Sequence, residues 1–205
     1  MIRIVSAKFL TSSVNSLDAP DFGISEVAFL GRSNVGKSSI INALTNHQGL
    51  AKSSSTPGKT QLINFFEVIF DNDGQKIPII FVDLPGFGYA KVSKSLHSAW
   101  QKNLDEFLRN RINIKTFVHL VDSRHSNLEK DENLGVYLSE FIRNDQKILN
   151  LYTKCDKLNQ SERSKVLKMD SSAILVSSTK KTGIDKAVKT IYNSIFGLVS
   201  SDDNV

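Results

Sequence analysis

The chain has 205 residues, of which 40% are hydrophobic and 23% are charged, and this balance predicts one globular domain with a substantial core. Its only cysteine, Cys155, excludes an intrachain disulfide and favours a reducing, cytoplasmic compartment. No apolar run approaches ~18 residues and no basic and apolar leader begins the chain, so we expect neither a membrane span nor a targeting segment. The net charge of +5 is compatible with an RNA partner, although charge alone is equally well explained by a solvated basic surface.

Short apolar runs alternate with amphipathic stretches along the chain, a pattern typical of alternating β and α elements. The predicted strands cover about residues 27–30, 62–70, 77–82, 116–121, 148–152 and 173–177. The predicted helices cover about residues 36–46, 94–109, 131–143, 161–169 and 183–196. Such alternation predicts an α/β fold with a mainly parallel six-stranded sheet, helices on both faces, and a ligand at the carboxyl ends of the strands.

Three further features complete the predicted organisation of the chain. Asp71-Asn72-Asp73-Gly74 predicts a hairpin turn, which would make one edge strand of the sheet antiparallel. The domain is expected to span residues 24–198, after a less regular lead-in over residues 1–23. Residues 199–205 form a short polar tail that we expect to be disordered.

The first motif follows the first predicted strand and fits the phosphate-binding pattern GxxxxGK[ST]. It consists of Gly31-Arg32-Ser33-Asn34-Val35-Gly36-Lys37-Ser38. Its glycines allow backbone N–H groups to converge on phosphate oxygens, and the following helix adds its positive end. Lys37 is predicted to bridge the β- and γ-phosphates, and the hydroxyl of Ser38 to bind Mg²⁺. The alternative is an ordinary glycine-rich turn from strand to helix.

The second motif ends the third predicted strand, where Asp83-Leu84-Pro85-Gly86 fits the pattern DxxG. Asp83 could hold Mg²⁺ through a water molecule, and Gly86 could bring its N–H group to the γ-phosphate. Taken alone, this tetrapeptide is more simply a proline-glycine turn. Its position between the other motifs favours the interpretation as a phosphate sensor.

A small, polar loop precedes the DxxG motif and contains Gly58-Lys59-Thr60 after a proline. A switch threonine is required in this part of the sequence, and Thr60 is the predicted hydroxyl that completes the Mg²⁺ shell, with Thr56 as the second choice. An ordinary flexible loop would have the same composition.

The motif Thr153-Lys154-Cys155-Asp156 follows the fifth predicted strand and fits the guanine-reading pattern [NT]KxD. The carboxylate of Asp156 could accept two N–H groups from guanine, a donor pair that adenine lacks. The stem of Lys154 could lie along the base. Further on, a backbone N–H group near Ser177 and Ser178 could bond the guanine O6 atom, and this is the weakest of the five signals.

Taken together, the finer motifs GRSNVGKSS, TPGKTQ, DLPGFGYAKVSK, VDSRH, TKCDK and SSTKKTG resemble the EngB (YihA/YsxC) family of bacterial GTPases, among the translation-factor-related P-loop GTPases. The resemblance extends from about Ile24 to Ile195. It implies a single G domain that binds GTP, GDP and Mg²⁺ and hydrolyses GTP slowly. It also implies a role in assembly of the large ribosomal subunit, through ribosomal RNA and proteins, and a link to division septum formation. We expect a monomer without a membrane partner.

The resemblance also implies roles for the matching residues. Gly31 to Ser38 would bind phosphate, Ser38 and Thr60 would bind Mg²⁺, and Asp83 with Gly86 would sense the γ-phosphate. Lys37, Thr60 and Gly86 would form the catalytic set. Thr153, Lys154 and Asp156, with Ser177 and Ser178, would hold the guanine.

Two positions depart from or extend the usual pattern. Phe87 follows Gly86 where many GTPases have a glutamine that orients water, so that catalytic group is absent. Related GTPases with asparagine at the position of Asn34 bind K⁺ there, which makes Asn34 a candidate K⁺ ligand; otherwise its side chain only satisfies loop backbone groups. The sequence suggests no chemical role for Arg124 and His125.

Two other functions remain compatible with the motifs. One is a septum-associated scaffold that binds GTP with little turnover, and the other is a P-loop ATPase or small-molecule kinase. Asp156 distinguishes the ATPase from the GTPase switch and from the GTP-binding scaffold, because its carboxylate is specific for guanine.

Overall fold

The computed structural model describes residues 1–52, 62–86, 94–125 and 129–198, with backbone only for 94–101 and 129–130. The described strands are β1 (Ile2–Ser13), β2 (Glu26–Gly31), β3 (Ile63–Asn72), β4 (Gln75–Asp83), β5 (Ile114–Asp122), β6 (Lys147–Thr153) and β7 (Ile174–Leu175). The described helices are α1 (Lys37–Leu44), α2 (Lys94–Asn110), α3 (Glu129–Ser139), α4 (Gln160–Met169) and α5 (Ile184–Ile195). Short 3₁₀ turns cover Ser123–His125 and Cys155–Lys157.

The described strands form one seven-stranded sheet in the order β1-β3-β4-β2-β5-β6-β7. Strands β4, β2, β5, β6 and β7 pair in parallel, whereas β3 is antiparallel to both of its neighbours. The predicted α/β class and the mainly parallel sheet are therefore confirmed. Two details differ from the prediction. The described sheet has seven strands rather than six, and the antiparallel strand β3 is second from the edge, with β1 outside it.

The additional strand is β1, which occupies most of the segment predicted to be a less regular lead-in, residues 1–23. It pairs antiparallel with β3 from Ile2 opposite Asn72 to Ser13 opposite Ile63. The register shifts twice along this pairing, between Ile4 and Ser6 and again between Phe9 and Thr11. Each shift breaks the alternation of buried and exposed side chains, which is the signal by which a strand is found in sequence. This irregularity explains why the sequence pattern does not predict the strand.

The predicted hairpin turn between β3 and β4 is confirmed. Asp73 and Gly74 both have positive φ, at 49° and 95°, as a tight two-residue hairpin requires. The carboxylate of Asp71 holds this turn. It accepts the N–H group of Gly74 at 2.9 Å and binds Arg3 at 3.1 Å and Lys76 at 2.8 Å. Asp71 thus joins β1 to the β3–β4 hairpin.

Helices cover both faces of the sheet, and strand β2 contacts both helical layers. Its successive side chains point to opposite faces. Val27 and Phe29 join a core that includes α1 and α5, while Ala28 and Leu30 join a second core that includes α2 and α3. All four side chains are fully buried. The carboxyl ends of the parallel strands therefore meet along one edge of the sheet, between the two helical layers.

An ion pair lies at the opposite, amino end of β2. Glu26 is fully buried, and its carboxylate accepts Arg111 Nη2 at 2.7 Å and Nε at 2.9 Å. Arg111 also donates to the carbonyl oxygens of Ala19 and Pro20. This cluster ties the segment before β2 to the connection between α2 and β5.

Among the residues described, no helix is both long and apolar enough to cross a membrane.

Candidate nucleotide-binding site

The loop of residues 31–38 connects β2 to α1 and needs glycine at two of its positions. A Cβ atom on Gly31 would lie 2.8 Å from the carbonyl oxygen of Leu120, so only glycine allows β2 to approach β5 this closely. Gly36 precedes the first residue of α1 with a φ of 100°, a left-handed conformation that side chains disfavour. Asn34 is also left-handed, with a φ of 64°. The loop thus curls as the motif predicts and ends at a helix amino terminus.

Lys37 and Asp83 meet although they belong to different motifs. The ammonium group of Lys37 contacts the carboxylate of Asp83, and their side chains are only 11% and 4% exposed. Ser38 is the second residue of α1, next to Lys37, and is half-buried. The DxxG motif also touches the loop, since a Cβ atom on Gly86 would lie 3.1 Å from the backbone nitrogen of Ser33. The structure therefore brings the two predicted phosphate motifs into contact.

Arg32 and Val35 attach the loop of residues 31–38 to the rest of the domain, Arg32 by an ion pair and Val35 by burial. Arg32 Nε donates to both carboxylate oxygens of Asp131 on α3, each at 2.9 Å, and the Asp131 side chain is 2% exposed. Val35 is buried in the core on the α1 and α5 side. Asp131 lies 99 residues away in sequence, and no sequence signal links it to Arg32.

Thr153 and Lys154 hold the same loop from the end of β6. The buried Thr153 hydroxyl donates to the carbonyl oxygen of Val35 at 2.7 Å. Lys154 reaches further, and its ammonium group donates to the carbonyl oxygen of Asn34 at 2.7 Å. Its Cε atom would be 3.9 Å from a Cβ atom on Gly36, so the side chain lies along the loop. These two residues join the phosphate loop to the predicted guanine motif.

Asp156 lies at the other side of the guanine motif and is supported by Ser177. The Ser177 hydroxyl donates to Asp156 Oδ1 at 2.7 Å, and this bond lowers the pKa of the Asp156 carboxyl below its ordinary value. The carboxylate is therefore ionised at neutral pH and is a strong acceptor for paired N–H donors. Ser177 is fully buried, whereas Ser178 is half-buried beside it.

Cys155 occupies the variable position of the guanine motif, and the residue is 1% exposed. Burial raises the pKa of its thiol, so the sulfur is a neutral packing group. Its backbone N–H group donates to the carbonyl oxygen of Val176 at 3.2 Å, which aligns the two predicted base-binding segments. Any contribution of Cys155 to a ligand would come from its backbone.

Asp122 is a member of this edge that the sequence did not assign. It ends β5 directly opposite Thr153 in the parallel register, and its carboxylate accepts bonds from Arg124 and from Lys154. The signal that could have identified it is its position, because the carboxyl ends of predicted parallel strands must meet at one edge.

Some predicted residues lie outside the part of the chain that the structure describes. These are Gly58, Lys59 and Thr60, the alternative switch residue Thr56, and Phe87. Every other predicted nucleotide residue ends strand β2, β4 or β6, lies in the segment that follows β2, β4, β6 or β7, or lies at the start of α1. The loop of residues 31–38 lies at a helix amino terminus and can bind the phosphates of a nucleotide. The ionised carboxylate of Asp156, after β6, can bind the base.

The fold and this site define a P-loop nucleotide-binding domain of the GTPase class, and comparison with known proteins agrees with that class. The sequence profile of the family described as "50S ribosome-binding GTPase" matches residues 26–154. A protein of Campylobacter lari named "Probable GTP-binding protein EngB" is 60% identical over 194 residues, covering 95% of this chain and 98% of that protein. A protein of Aliarcobacter butzleri with the same name is 54% identical over 199 residues, covering 96% and 100%. The chain belongs to the EngB family of GTP-binding proteins.

Solved structures agree at the level of the fold. A crystal structure of a probable GTP-binding protein engB superposes with a TM-score of 0.58 at 21% identity, covering 84% of this chain and 99% of that one. The G domain of the T. maritima FeoB iron transporter gives a TM-score of 0.55 at 24% identity, covering 83% and 98%. The predicted family and fold class are therefore confirmed.

Proposed function

We propose that this protein binds GTP in the loop of residues 31–38, hydrolyses it slowly, and acts as a switch in assembly of the large ribosomal subunit. The observation that carries the proposal is the joining of the phosphate loop to the guanine motif through Thr153 and Lys154. The printed description of the matching family, a GTPase that binds the 50S ribosome, supports the choice of partner. That partner implies a cytoplasmic protein, and an effect on septation would follow indirectly from a shortage of large subunits.

Guanine selectivity is assigned to Asp156, with a backbone N–H group near Ser178 as the donor to the O6 atom. Thr153 and Ser177 are assigned supporting roles. The Thr153 hydroxyl donates to the carbonyl oxygen of Val35 in the phosphate loop, and the Ser177 hydroxyl donates to the carboxylate of Asp156. Lys37 is assigned to the β- and γ-phosphates. The N–H group of Gly86 is assigned to the γ-phosphate, beside Ser33.

The residues present suit a magnesium ion, which prefers oxygen ligands. Asp83 offers a carboxylate that is almost fully buried against Lys37, and Ser38 offers a hydroxyl at the start of the adjacent helix. We assign Ser38 and Thr60 as direct ligands and Asp83 as a ligand through water. The ion would offset the negative charge of the phosphates.

Slow hydrolysis is proposed because Phe87 cannot orient water as glutamine does. Asn34 is the proposed K⁺ ligand. Its exposed side chain and left-handed backbone are compatible with that role, while its carbonyl oxygen is engaged by Lys154. A faster GTP turnover in KCl than in NaCl, lost in Asn34→Ala, would support K⁺ use, and equal rates in the two salts would exclude it.

Calorimetric titration tests the nucleotide assignment. Wild-type protein with Mg²⁺ should bind GDP and not ATP, and Asp156→Asn should shift the preference from guanine toward xanthine nucleotides. Asp145→Asn is the matched control, because Asp145 also carries an ion pair, to Lys115, but precedes β6 rather than following it. ATP binding, or an Asp156→Asn variant that keeps its GDP selectivity, would replace the GTPase assignment with the ATPase alternative.

Sedimentation with ribosomal particles tests the partner. Protein loaded with a non-hydrolysable GTP analogue should sediment with large subunits, and the GDP form should not. Cells depleted of the protein should accumulate immature large subunits. Normal subunit profiles after depletion would instead favour the scaffold alternative.

A further inference from the structure

Lys154 is held by two acceptors at once. Its ammonium group donates to the Asn34 carbonyl oxygen at 2.7 Å and to Asp122 Oδ2 at 2.8 Å. The residue itself has a positive φ of 59°, an unusual conformation for lysine that local contacts must maintain. A long, flexible side chain loses much rotamer entropy in such a position, so both acceptors are needed to keep it on the loop.

Asp122 is fully engaged by donors. Its Oδ1 atom accepts the backbone N–H of Arg124 at 3.2 Å and Arg124 Nε at 3.0 Å, while Oδ2 accepts Arg124 Nη2 at 2.8 Å as well as Lys154. Burial by itself would raise the pKa of this carboxyl, but the bonds from Arg124 and Lys154 outweigh burial and hold its pKa well below the ordinary value. The carboxylate therefore remains charged and oriented.

Arg124 covers this carboxylate on the solvent side. Its side chain is 43% exposed, whereas that of Asp122 is 8% exposed. The two-pronged contact fixes the plane of the carboxylate, as a guanidinium group does and a lysine cannot. One chain of contacts thus runs from Arg124 through Asp122 and Lys154 to the backbone of the phosphate loop.

We propose that Asp122, oriented by Arg124, is a positioning residue that keeps Lys154 on the carbonyl oxygen of Asn34 and thereby slows the release of bound guanine nucleotide. The proposal rests on the assignment of the nucleotide to the loop of residues 31–38. Without the Asp122 charge, Lys154 has only neutral acceptors, is held less firmly, turns to solvent, and leaves the left-handed residue Asn34 without its anchor. The nucleotide then dissociates faster, because the loop that binds its phosphates has lost this anchor.

Release of a fluorescent GDP analogue in stopped flow tests this proposal. Loss of a charged hydrogen bond typically costs enough to predict release roughly tenfold faster or more for Asp122→Asn and for Arg124→Ala. Arg124→Lys should be intermediate, because lysine restores one contact to the carboxylate. In a Lys154→Ala background, Asp122→Asn should have no further effect, since the residue acts through Lys154.

Asp71→Asn is the matched control. Asp71 is likewise bound by one arginine, one lysine and one backbone N–H group, with a 6% exposed side chain, but it lies at the β3–β4 hairpin. Thermal unfolding of each variant shows whether it is folded at the assay temperature. The Asp71→Asn variant should release the analogue at the wild-type rate.

Three results would overturn the positioning role while leaving the nucleotide assignment intact. These are an unchanged release rate in Asp122→Asn, an equal acceleration in Asp71→Asn, and effects of Asp122→Asn and Lys154→Ala that simply add. Failure of wild-type protein to bind the analogue, or release from Asp156→Ala at the wild-type rate, would instead overturn the nucleotide assignment on which the proposal rests.

Discussion

Asp71 and Asp122 have nearly the same surroundings and lie in different regions of the same sheet. Each carboxylate binds an arginine, a lysine and a backbone N–H group, and each side chain is less than a tenth exposed. Asp71 joins β1 to a hairpin, and all of its partners belong to the antiparallel part of the sheet. Asp122 ends a parallel strand, and its lysine reaches the phosphate loop.

The comparison shows that the chemistry of an ion cluster does not determine its role. In the antiparallel part, neighbouring strands are joined by a tight turn, so a charge there stabilises a local connection. In the parallel part, strands distant in sequence end at one edge, so a similar charge can connect loops that bind a ligand. Substitutions in the first region should therefore change stability, and those in the second should also change nucleotide binding.

The largest effect on stability is expected for Arg111→Ala, at the amino end of the parallel strands. The substitution leaves the fully buried Glu26 carboxylate without its partner, which typically costs about 3–5 kcal/mol in the free energy of unfolding. Burial already raises the pKa of Glu26, so the lost stability should be partly regained as the pH is lowered and Glu26 takes up a proton. Urea denaturation at several pH values measures both effects.

The control for Arg111→Ala is the double variant Glu26→Gln with Arg111→Ala, which removes the unpaired charge. It should be more stable than Arg111→Ala alone at neutral pH. We expect substitutions at the amino ends of the parallel strands to change stability alone. A loss of GDP affinity in the folded Arg111→Ala variant would contradict that expectation.

A smaller effect is expected for Thr153→Val, at the carboxyl end of β6. Valine has the shape of threonine but cannot donate to the carbonyl oxygens of Val35 and Val121, so stability should fall by about 1–2 kcal/mol and GDP should bind several-fold more weakly. Thermal unfolding and calorimetry measure the two quantities.

Thr116→Val provides the matched substitution at the other end of the parallel strands. Thr116 is also fully buried, and its hydroxyl bonds the hydroxyl of Ser194 at 2.8 Å. It should lose a similar amount of stability and retain wild-type GDP affinity. Equal losses of affinity in the two variants would contradict the assignment of binding to one edge of the sheet.

The smallest effect is expected at acid pH for Asp71→Asn. Bonds from Lys76, the Gly74 N–H group and Arg3 lower the pKa of Asp71 from 3.8 to about 2. A lowered carboxyl pKa stabilises the folded state above the unfolded pKa, and this stabilisation is lost as the pH falls from 3.8 toward 2. The variant should therefore lose less stability than wild type over that interval, as followed by circular dichroism. Parallel acid profiles for the two proteins would show that the cluster contributes nothing to the hairpin.

The predicted fold agrees with the structure where the sequence pattern is regular. The buried strands Glu26–Gly31 and Ile114–Asp122 and the turn at Asp73 and Gly74 carry strong local signals, namely continuous apolar runs and a residue pair suited to positive φ. Strand β1 carries no such signal because its two register shifts disrupt the alternation. Its place in the sheet depends on pairing with the edge of β3 that β4 leaves unpaired, and β3 belongs to another part of the chain.

By itself, the sequence determined the α/β class, through its alternating apolar and amphipathic runs, and it predicted a phosphate loop and a guanine motif, through residue types at fixed short spacing. Only the tertiary structure decided which side chains support those motifs. The bond from Arg32 to Asp131 and that from Lys154 to Asn34 span 99 and 120 residues. Such contacts arise only when parallel strands distant in sequence end at the same edge of the sheet, and no local spacing in the chain encodes that meeting.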